Sequence, residues 1–454
     1  MKVAIVGGGP AAFYVASRLL SRAPAARVHV FDRLWAPHGL VRYGVAPDHP
    51  EVKNCTHKFE AVAADPRFRF FGNVNVGLTP LPRGMEQVLQ LPLADIQEHY
   101  SHLVFATGCP LPALHPALDP SPMCIPSLSF VHWYTQHPSA PPAPALERTR
   151  HVTLIGNGNV ALDIARLLLT PVTHLEKYDV PQSVLGVLAS SAVQHVSIVA
   201  RRGPLQAAFT AKELREMLTL PDASMTPIPP ALLTPPPEVT PTRQQSRILS
   251  LLAKGSTLPF VTTPKSWSLE FFKNPTGLGP RRDGLDLALE HTTLDSTGSA
   301  VPTGPAPSIH TDLVIPALGF RRAAGFPPRD LGAGSRVFAA GWALTGPKGV
   351  IADTMRHAYA VADALLESAS SSSTEDQGEF RMNPSPPDTD DPPPAILSAL
   401  SASAGGVVTS YADWLRIDAE EIRRGKLHGE GKERERMVCW EEARAFLRGP
   451  GASD

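Results

Sequence analysis

Apolar residues in this chain fall into short uninterrupted runs that end abruptly in glycine, and two of these runs are built alike. Val3-Ala4-Ile5-Val6 passes through Gly7-Gly8-Gly9-Pro10-Ala11-Ala12 into FYVASRLLSRA, and His151-Val152-Thr153-Leu154-Ile155 passes through Gly156-Asn157-Gly158-Asn159-Val160-Ala161 into ALDIARLLL. A continuous apolar run closed by turn residues predicts a strand buried on both faces, and apolar positions at helical spacing after it predict a helix laid back on that strand. A second strand follows each helix: Arg27 to Phe31, ending in Asp32, and His195 to Ala200, ending in Arg201-Arg202 after a helical insert that begins at Thr170. Two further buried-strand runs, Leu103-Val104-Phe105-Ala106-Thr107-Gly108 and Leu313-Val314-Ile315-Pro316-Ala317-Leu318-Gly319, flank the second unit. The simplest architecture is α/β, with two Rossmann-like dinucleotide-binding domains, the second inserted into the first.

The turns carry the candidate chemistry. Gly7 makes the tight bend, Gly9 lets the backbone approach a pyrophosphate, and Ala12 takes the third small position, where helix packs on strand. The helix N-terminus then faces the phosphates with unpaired N–H groups and the positive end of its dipole. Asp32 stands 25 residues after Gly7, near the spacing of about 20 expected of a carboxylate that accepts from ribose hydroxyls. This unit therefore suits an unphosphorylated adenosine ribose, as in FAD or NAD. The second turn repeats the layout with Ala161 in the third small position, but its following strand ends in a guanidinium pair. Two guanidinium forks suit a 2′-phosphate, and no carboxylate is there to repel it, so NADP(H) is favoured. One site for each kind of nucleotide describes a pyridine-nucleotide flavoprotein with FAD and NADP(H) as cofactors.

Composition narrows the alternatives. The 454 residues, 43% hydrophobic and 19% charged, are enough for more than one ordinary folded domain. Lys and Arg (42) balance Asp and Glu (43) to a net charge of −1, so nothing draws the chain as a whole to nucleic acid or an anionic membrane. Cys55, Cys109, Cys124 and Cys439 lie far apart without a C-x-x-C, which argues against a zinc, iron–sulfur or dithiol centre. They read as free thiols of a reducing compartment, and no metal is expected. No apolar run approaches the length of a membrane-spanning helix, although peripheral membrane contact stays open. Met1-Lys2 leads straight into the first strand, with no presequence visible. The 48 prolines cluster: residues 110–146 and 221–242 are too broken for a long helix, and the Ser/Pro/Asp-rich stretch 368–394 reads as a disordered insert. Beyond it, two amphipathic helices around a charged turn are expected to pack back onto the body. Nothing demands more than a monomer.

HGLVRYGVAPDHPEVKN (38–54), GNGNVALD, ARRGPLQAAFTAKELREM and GWALTGPKGVI closely resemble the adrenodoxin reductase family, the mitochondrial-type ferredoxin–NADP⁺ reductases. LLLTPVTHLEKYDV and DWLRIDAEEIRRGK follow in the family's order, and the match spans most of the chain. The resemblance implies an FAD domain made of residues 1–109 and 329–454, with an NADP domain of residues 110–328 inserted. It implies an enzyme that passes electrons from NADPH through FAD to an adrenodoxin-like [2Fe–2S] ferredoxin, for monooxygenase or iron–sulfur and haem pathways, in the mitochondrion. Residue by residue, it implies FAD contacts at Ala11, Asp32, Leu40, Val76, Trp342, Gly349, Val350 and Ile351. NADP contacts are implied at Asn157, Gly158, Asn159, Val160, Arg201, Arg202, Glu213 and Gly349. Ala343-Leu344-Thr345 departs from the family's usual Lys or Arg after the tryptophan turn, and the 221–242 segment and the serine-rich insert depart as well.

Hydride transfer to a flavin needs ring stacking and no obligatory side-chain base. His49, Asp163 and Glu213 resemble family residues near the nicotinamide, where they would hold its amide or order a proton path. Read without the resemblance, His49 is a turn residue, Asp163 a helix carboxylate pairing Arg166, and Glu213 a partner for Lys212 or Arg215. Ferredoxins of this class are acidic, so a neutral reductase needs a local basic face. Arg243 and Arg247, one helical turn apart, align with family docking arginines, and Arg18, Arg22, Arg281 and Arg282 are further candidates. A flavoprotein disulfide reductase, a glutamate-synthase-type subunit and a non-catalytic nucleotide-binding scaffold are the competing readings.

Overall fold

In the computed structural model, residues 1–77, 81, 85–323, 336–370, 382–386, 391–401, 407–429 and 431–449 are described. The chain forms two units: Met1–Leu111, Thr135–Ala140 and Phe320–Asp454 make one, and Pro112–Tyr134 with Pro141–Gly319 make the other. Both expected apolar runs are strands, Lys2–Val6 and His151–Ile155, and both following helices form, Pro10–Arg22 and Asn159–Leu169. The expected boundary at 329 lies outside the described residues.

The first unit is centred on a five-stranded parallel sheet, in the order Val337–Ala339, His102–Phe105, Lys2–Val6, Arg27–Asp32 and Phe68–Gly72. Parallel strands need helical crossovers that cover both faces, so every side chain of Lys2–Val6 and of His102–Phe105 is buried. Chain order reverses on either side of Lys2–Val6. Such a switch point opens a crevice at the carboxyl ends of the strands. The Ile351–Ser370 helix packs along Pro10–Arg22, and Arg18 closes that seam with both a 2.8 Å Nε and a 2.8 Å Nη2 bond to Asp363.

Tyr411–Leu427 and Trp440–Arg448 are the two expected C-terminal helices, and Tyr411, Trp414, Ile417, Trp440 and Ala443 join the core of this unit. Of the stretch 368–394 read as disordered, residues 371–381 and 387–390 lie outside the described residues. The described remainder corrects that reading. Met382 is buried, Asn383 donates to the carbonyl of Gln97 at 2.9 Å, and Asp391 meets buried His29 at 2.6 Å. An apolar anchor and a charge partner hold what composition alone suggested was loose.

The second unit repeats the plan: Ala223–Met225, Lys265–Phe271, His195–Ala200, His151–Ile155 and Leu313–Pro316 form a parallel five-stranded sheet. The insert after Thr170 is two short helices, Val172–Leu175 and Gln182–Ala189. An antiparallel sheet of Lys273–Arg281, Gly284–Leu294 and Ala300–Thr311 was not anticipated. Its Leu285, Leu287 and Leu289, on one face by the two-residue strand period, share a core with Ile155, Val199 and Val314.

Candidate nucleotide sites

Each unit carries its turn at a switch point. At Gly7 φ is +102°, and a Cβ there would stand 2.5 Å from the carbonyl oxygen of Ala106; at Gly156 φ is +118°, and a Cβ would stand 2.4 Å from that of Ala317. Both glycines are required twice over, by the left-handed backbone and by a neighbouring strand end that leaves no room. The next glycines differ in kind. Gly9 and Gly158 have extended backbones, and a Cβ on either would meet nothing within 4 Å. Neither is needed for the fold; each keeps open a space directly in front of a helix that has no side-chain cap. An open cradle before an uncapped helix N-terminus is what a pyrophosphate requires.

In the first unit this cradle is the floor of a cleft of about 1050 Å³, its open mouth included. Gly7, Gly9, Ala11, Asp32, Leu40, Val76, Trp342 and Ile351 all line it. Gly349 and Val350 do not; both are exposed, and Val350 donates its N–H to Asp353 at 3.0 Å as the helix Ile351–Ser370 begins. Sequence reasoning missed Arg33, Asn75 and Thr354 of the lining. No motif marks them. Asp32 closes the second strand with its carboxylate accepting from Gly8 N–H at 2.5 Å and Leu34 N–H at 2.9 Å. Burial pushes its pKa up, against the pull of those two donors and of Arg33. Trp342 is half-buried, stacked on Phe320 with ring centroids 5.9 Å apart.

In the second unit, Asn157 presents a buried Nδ2 with no hydrogen-bond partner, beside the open cradle at Gly158. A buried amide donor left unpaired costs free energy unless a ligand completes it. Asn159 is engaged within the protein: its Oδ1 accepts from Thr210 N–H at 2.9 Å. Arg201 and Arg202 stand exposed at the end of His195–Ala200, and no described carboxylate pairs with either. Two unpaired guanidinium groups at that position fit a 2′-phosphate.

Asp163 and Glu213 converge on one cation. Buried Arg166 gives Nη2 to Asp163 at 2.8 Å and Nη1 to Glu213 at 3.0 Å, with Glu216 at 3.4 Å. Helix pairing, the plainer reading of Asp163, is observed, and Glu213 pairs with Arg166 rather than with Arg215. His49 belongs to the other unit, buried, with its backbone N–H on the carbonyl of Ala46 at 3.0 Å. Arg243 and Arg247 lie exposed one turn apart on the Arg243–Lys254 helix, which Thr242 and Gln245 close with a capping box. Of the further arginines, Arg18 is spent on Asp363 and Arg281 bonds His310. All four cysteines are free thiols. Among the described residues no helix is long and apolar enough to cross a membrane.

No protein-family model matches the chain. Among curated proteins it is 35% identical over 480 aligned residues to the mitochondrial NADPH:adrenodoxin oxidoreductase of Bos taurus, covering 98% of this chain and 92% of that one. It is 34% identical to the NADPH-ferredoxin reductase FprA of Mycobacterium tuberculosis, with 94% and 95% covered. Among solved structures, that of M. tuberculosis FprA in complex with NADPH superposes with a TM-score of 0.82 at 30% identity, covering 98% of both chains. Relatives at nearly equal identity include both a mitochondrial and a bacterial protein, so kinship fixes the chemistry and leaves the compartment open. Similarity over almost the whole length, on top of two complete nucleotide-binding units, establishes that this chain belongs to the adrenodoxin reductase family of oxidoreductases, with FAD and NADP(H) as cofactors.

Proposed function

We propose that the first unit holds FAD and the second holds NADP(H), and that the chain passes electrons from NADPH to an adrenodoxin-type [2Fe–2S] ferredoxin. The contrast between the two strand ends carries this reading: a carboxylate, Asp32, lines the first cleft, and an unpaired Arg201-Arg202 stands behind the second turn. When bound, FAD couples a two-electron hydride donor to a one-electron acceptor.

The protein's own part is to bind and orient. Helix N-termini at Gly9 and Gly158 hold the pyrophosphates, Asp32 accepts from the ribose hydroxyls, and Trp342 borders the flavin end of the cleft. Arg201 and Arg202 select the phosphorylated ribose. Through Glu213, Arg166 holds the Asn159–Leu169 helix against Ala211–Leu218, and it pairs Asp163 within its own helix, so both carboxylates have a structural part. His49 keeps the role that the resemblance implies, holding the nicotinamide amide or ordering a proton path.

The acceptor is read from charge. An acidic ferredoxin would be steered by exposed basic groups, and Arg243 and Arg247 supply a rigid pair of them. In an assay of cytochrome c reduction, the rate should require both NADPH and an added [2Fe–2S] ferredoxin, with NADH a poor substitute. Arg243→Glu/Arg247→Glu should lower ferredoxin-dependent turnover by about tenfold and flatten its salt dependence while NADPH-to-dye activity stays. NADPH reduction of the flavin with no effect of ferredoxin would refute the acceptor and leave the nucleotide assignment standing.

A further inference from the structure

The turn that follows the second strand of the first unit is held in a costly backbone. His38 has φ +81° and Gly39 φ +45°. A histidine in the left-handed region persists only where its surroundings fix it. The turn lies directly on the phosphate loop: His38 N–H donates to the carbonyl of Gly8 at 2.8 Å, and a Cβ on Gly39 would stand 3.1 Å from the Cα of Gly9. Gly39 and Leu40 line the cleft. Whatever fixes this turn therefore also sets the width of the cradle.

Its supports come from a distant part of the sequence. The Leu40–Tyr43 helix carries Arg42, whose guanidinium forms a two-pronged pair with Glu421 of the Tyr411–Leu427 helix, at 2.9 and 2.7 Å. Arg42 is 6% exposed and Glu421 0%, so neither charge has water as a substitute partner. Glu421 is fixed in turn: Met437 N–H donates to its Oε1 at 2.9 Å. The guanidinium lies over the rings of Trp35, Tyr43 and Trp414, 5.6, 5.2 and 4.7 Å from their centroids. The same helix supplies Tyr411, whose hydroxyl meets His38 Nε2 at 3.1 Å. A buried ion pair is weak evidence for stability, since apolar replacements of both partners often serve as well. Its geometric specificity is a better account of its place here.

We infer that Glu421, with Tyr411, is a positioning residue for FAD: through Arg42 and His38 the C-terminal helix holds the 38–43 turn against the phosphate loop. This rests on the assignment of FAD to the first unit. The test uses the full-length protein, made free of flavin and titrated with FAD by quenching of flavin fluorescence. The double variant Arg42→Met/Glu421→Met removes both charges together, and Arg434, 3.4 Å from Glu421, keeps its pair with Asp418. It should keep the melting temperature of the flavin-free protein within about 5 °C of wild type and weaken FAD binding about tenfold, equivalent to ~1.4 kcal/mol. Tyr411→Phe, which removes one hydroxyl, should weaken it about threefold, and it carries the test if the double variant does not fold. Gly9→Glu is the control, placing a carboxylate in the cradle itself, and should abolish FAD binding. If both positioning variants bind FAD within twofold of wild type while Gly9→Glu does not bind it, the inference is overturned and the site assignment stands. If Gly9→Glu binds FAD normally, the site assignment fails and the inference with it.

Discussion

The two phosphate turns share a backbone and differ in what stands behind them. Gly7 and Gly156 carry nearly the same φ and the same close approach to a neighbouring strand end, and Gly9 and Gly158 leave the same empty space. Behind the first turn, Asp32 is buried and caught between two backbone donors; behind the second, Arg201 and Arg202 are exposed and unpaired. The backbone device suits any pyrophosphate, so under the proposed assignment the choice of nucleotide is made one strand later, by the sign of the charge there. The surroundings differ too: a helix from the far end of the chain buttresses the first turn through Arg42 and His38, while the second is completed by nearer elements, Thr210 bonding Asn159.

The strongest way to break the parallel is to put a methyl group on either tight glycine. Gly7→Ala and Gly156→Ala each force a side chain into a left-handed backbone and against a carbonyl, at a cost of about 3 kcal/mol. Each should lower the melting temperature and cost its own unit's nucleotide first: flavin content for Gly7→Ala, retention on immobilised 2′,5′-ADP for Gly156→Ala. Next in size, Arg201→Ala/Arg202→Ala should reduce kcat/KM for NADPH by roughly 100-fold, as two charge-assisted contacts of ~1.5 kcal/mol each are lost, with NADH nearly unchanged. An equal loss with NADH would show that the pair holds the fold instead.

A smaller effect is expected from pH. Burial, followed by the Arg42 and Arg434 charges, lowers the pKa of His38 from 6.5 to about 3. The unfolded chain therefore takes up this proton before the folded one does. The stabilisation is complete above about pH 6.5 and is lost progressively as pH falls toward 3. Flavin release followed from pH 7 down to 4 should accelerate over that window. In His38→Asn, which suits a left-handed backbone and does not titrate, the acceleration should be reduced. An unchanged profile would place the acid-labile group elsewhere.

Much of this was legible in the sequence because it is local. Strand, glycine turn, helix and strand-end charge lie within about 50 residues of one another in each unit, and hydrophobic periodicity reports such short-range order directly. The nested arrangement could be read as well, since a buried strand flanks the second unit on either side. What escaped depends on long-range pairing. Leu285, Leu287 and Leu289 alternate as a half-buried strand should, yet Gly and Pro at 275–284 and 302–307 obscured the pairing around them. The anchoring of Met382 and Asp391 could not be seen in a segment whose composition reads as polar linker. Thr135–Ala140 groups with the first unit although its neighbours on both sides group with the second, and no residue pattern there announces it. Among site residues, Asn75 reaches the cleft on the short Val74–Val76 strand, Arg33 just beyond Arg27–Asp32 and Thr354 on the Ile351–Ser370 helix, and the pairing of Glu213 with Arg166 spans 47 positions.

The most direct test of two units with two nucleotides is to place one carboxylate in each cradle, where the fold has room for it, and read both cofactors. Gly9→Glu and Gly158→Glu would be purified in parallel, flavin content measured by absorbance, and reduction by NADPH followed without oxygen. Gly9→Glu should be colourless yet bind 2′,5′-ADP, and Gly158→Glu should be yellow, be reduced by dithionite and not be reduced by NADPH. A colourless Gly158→Glu, or a yellow Gly9→Glu that NADPH fails to reduce, would contradict it.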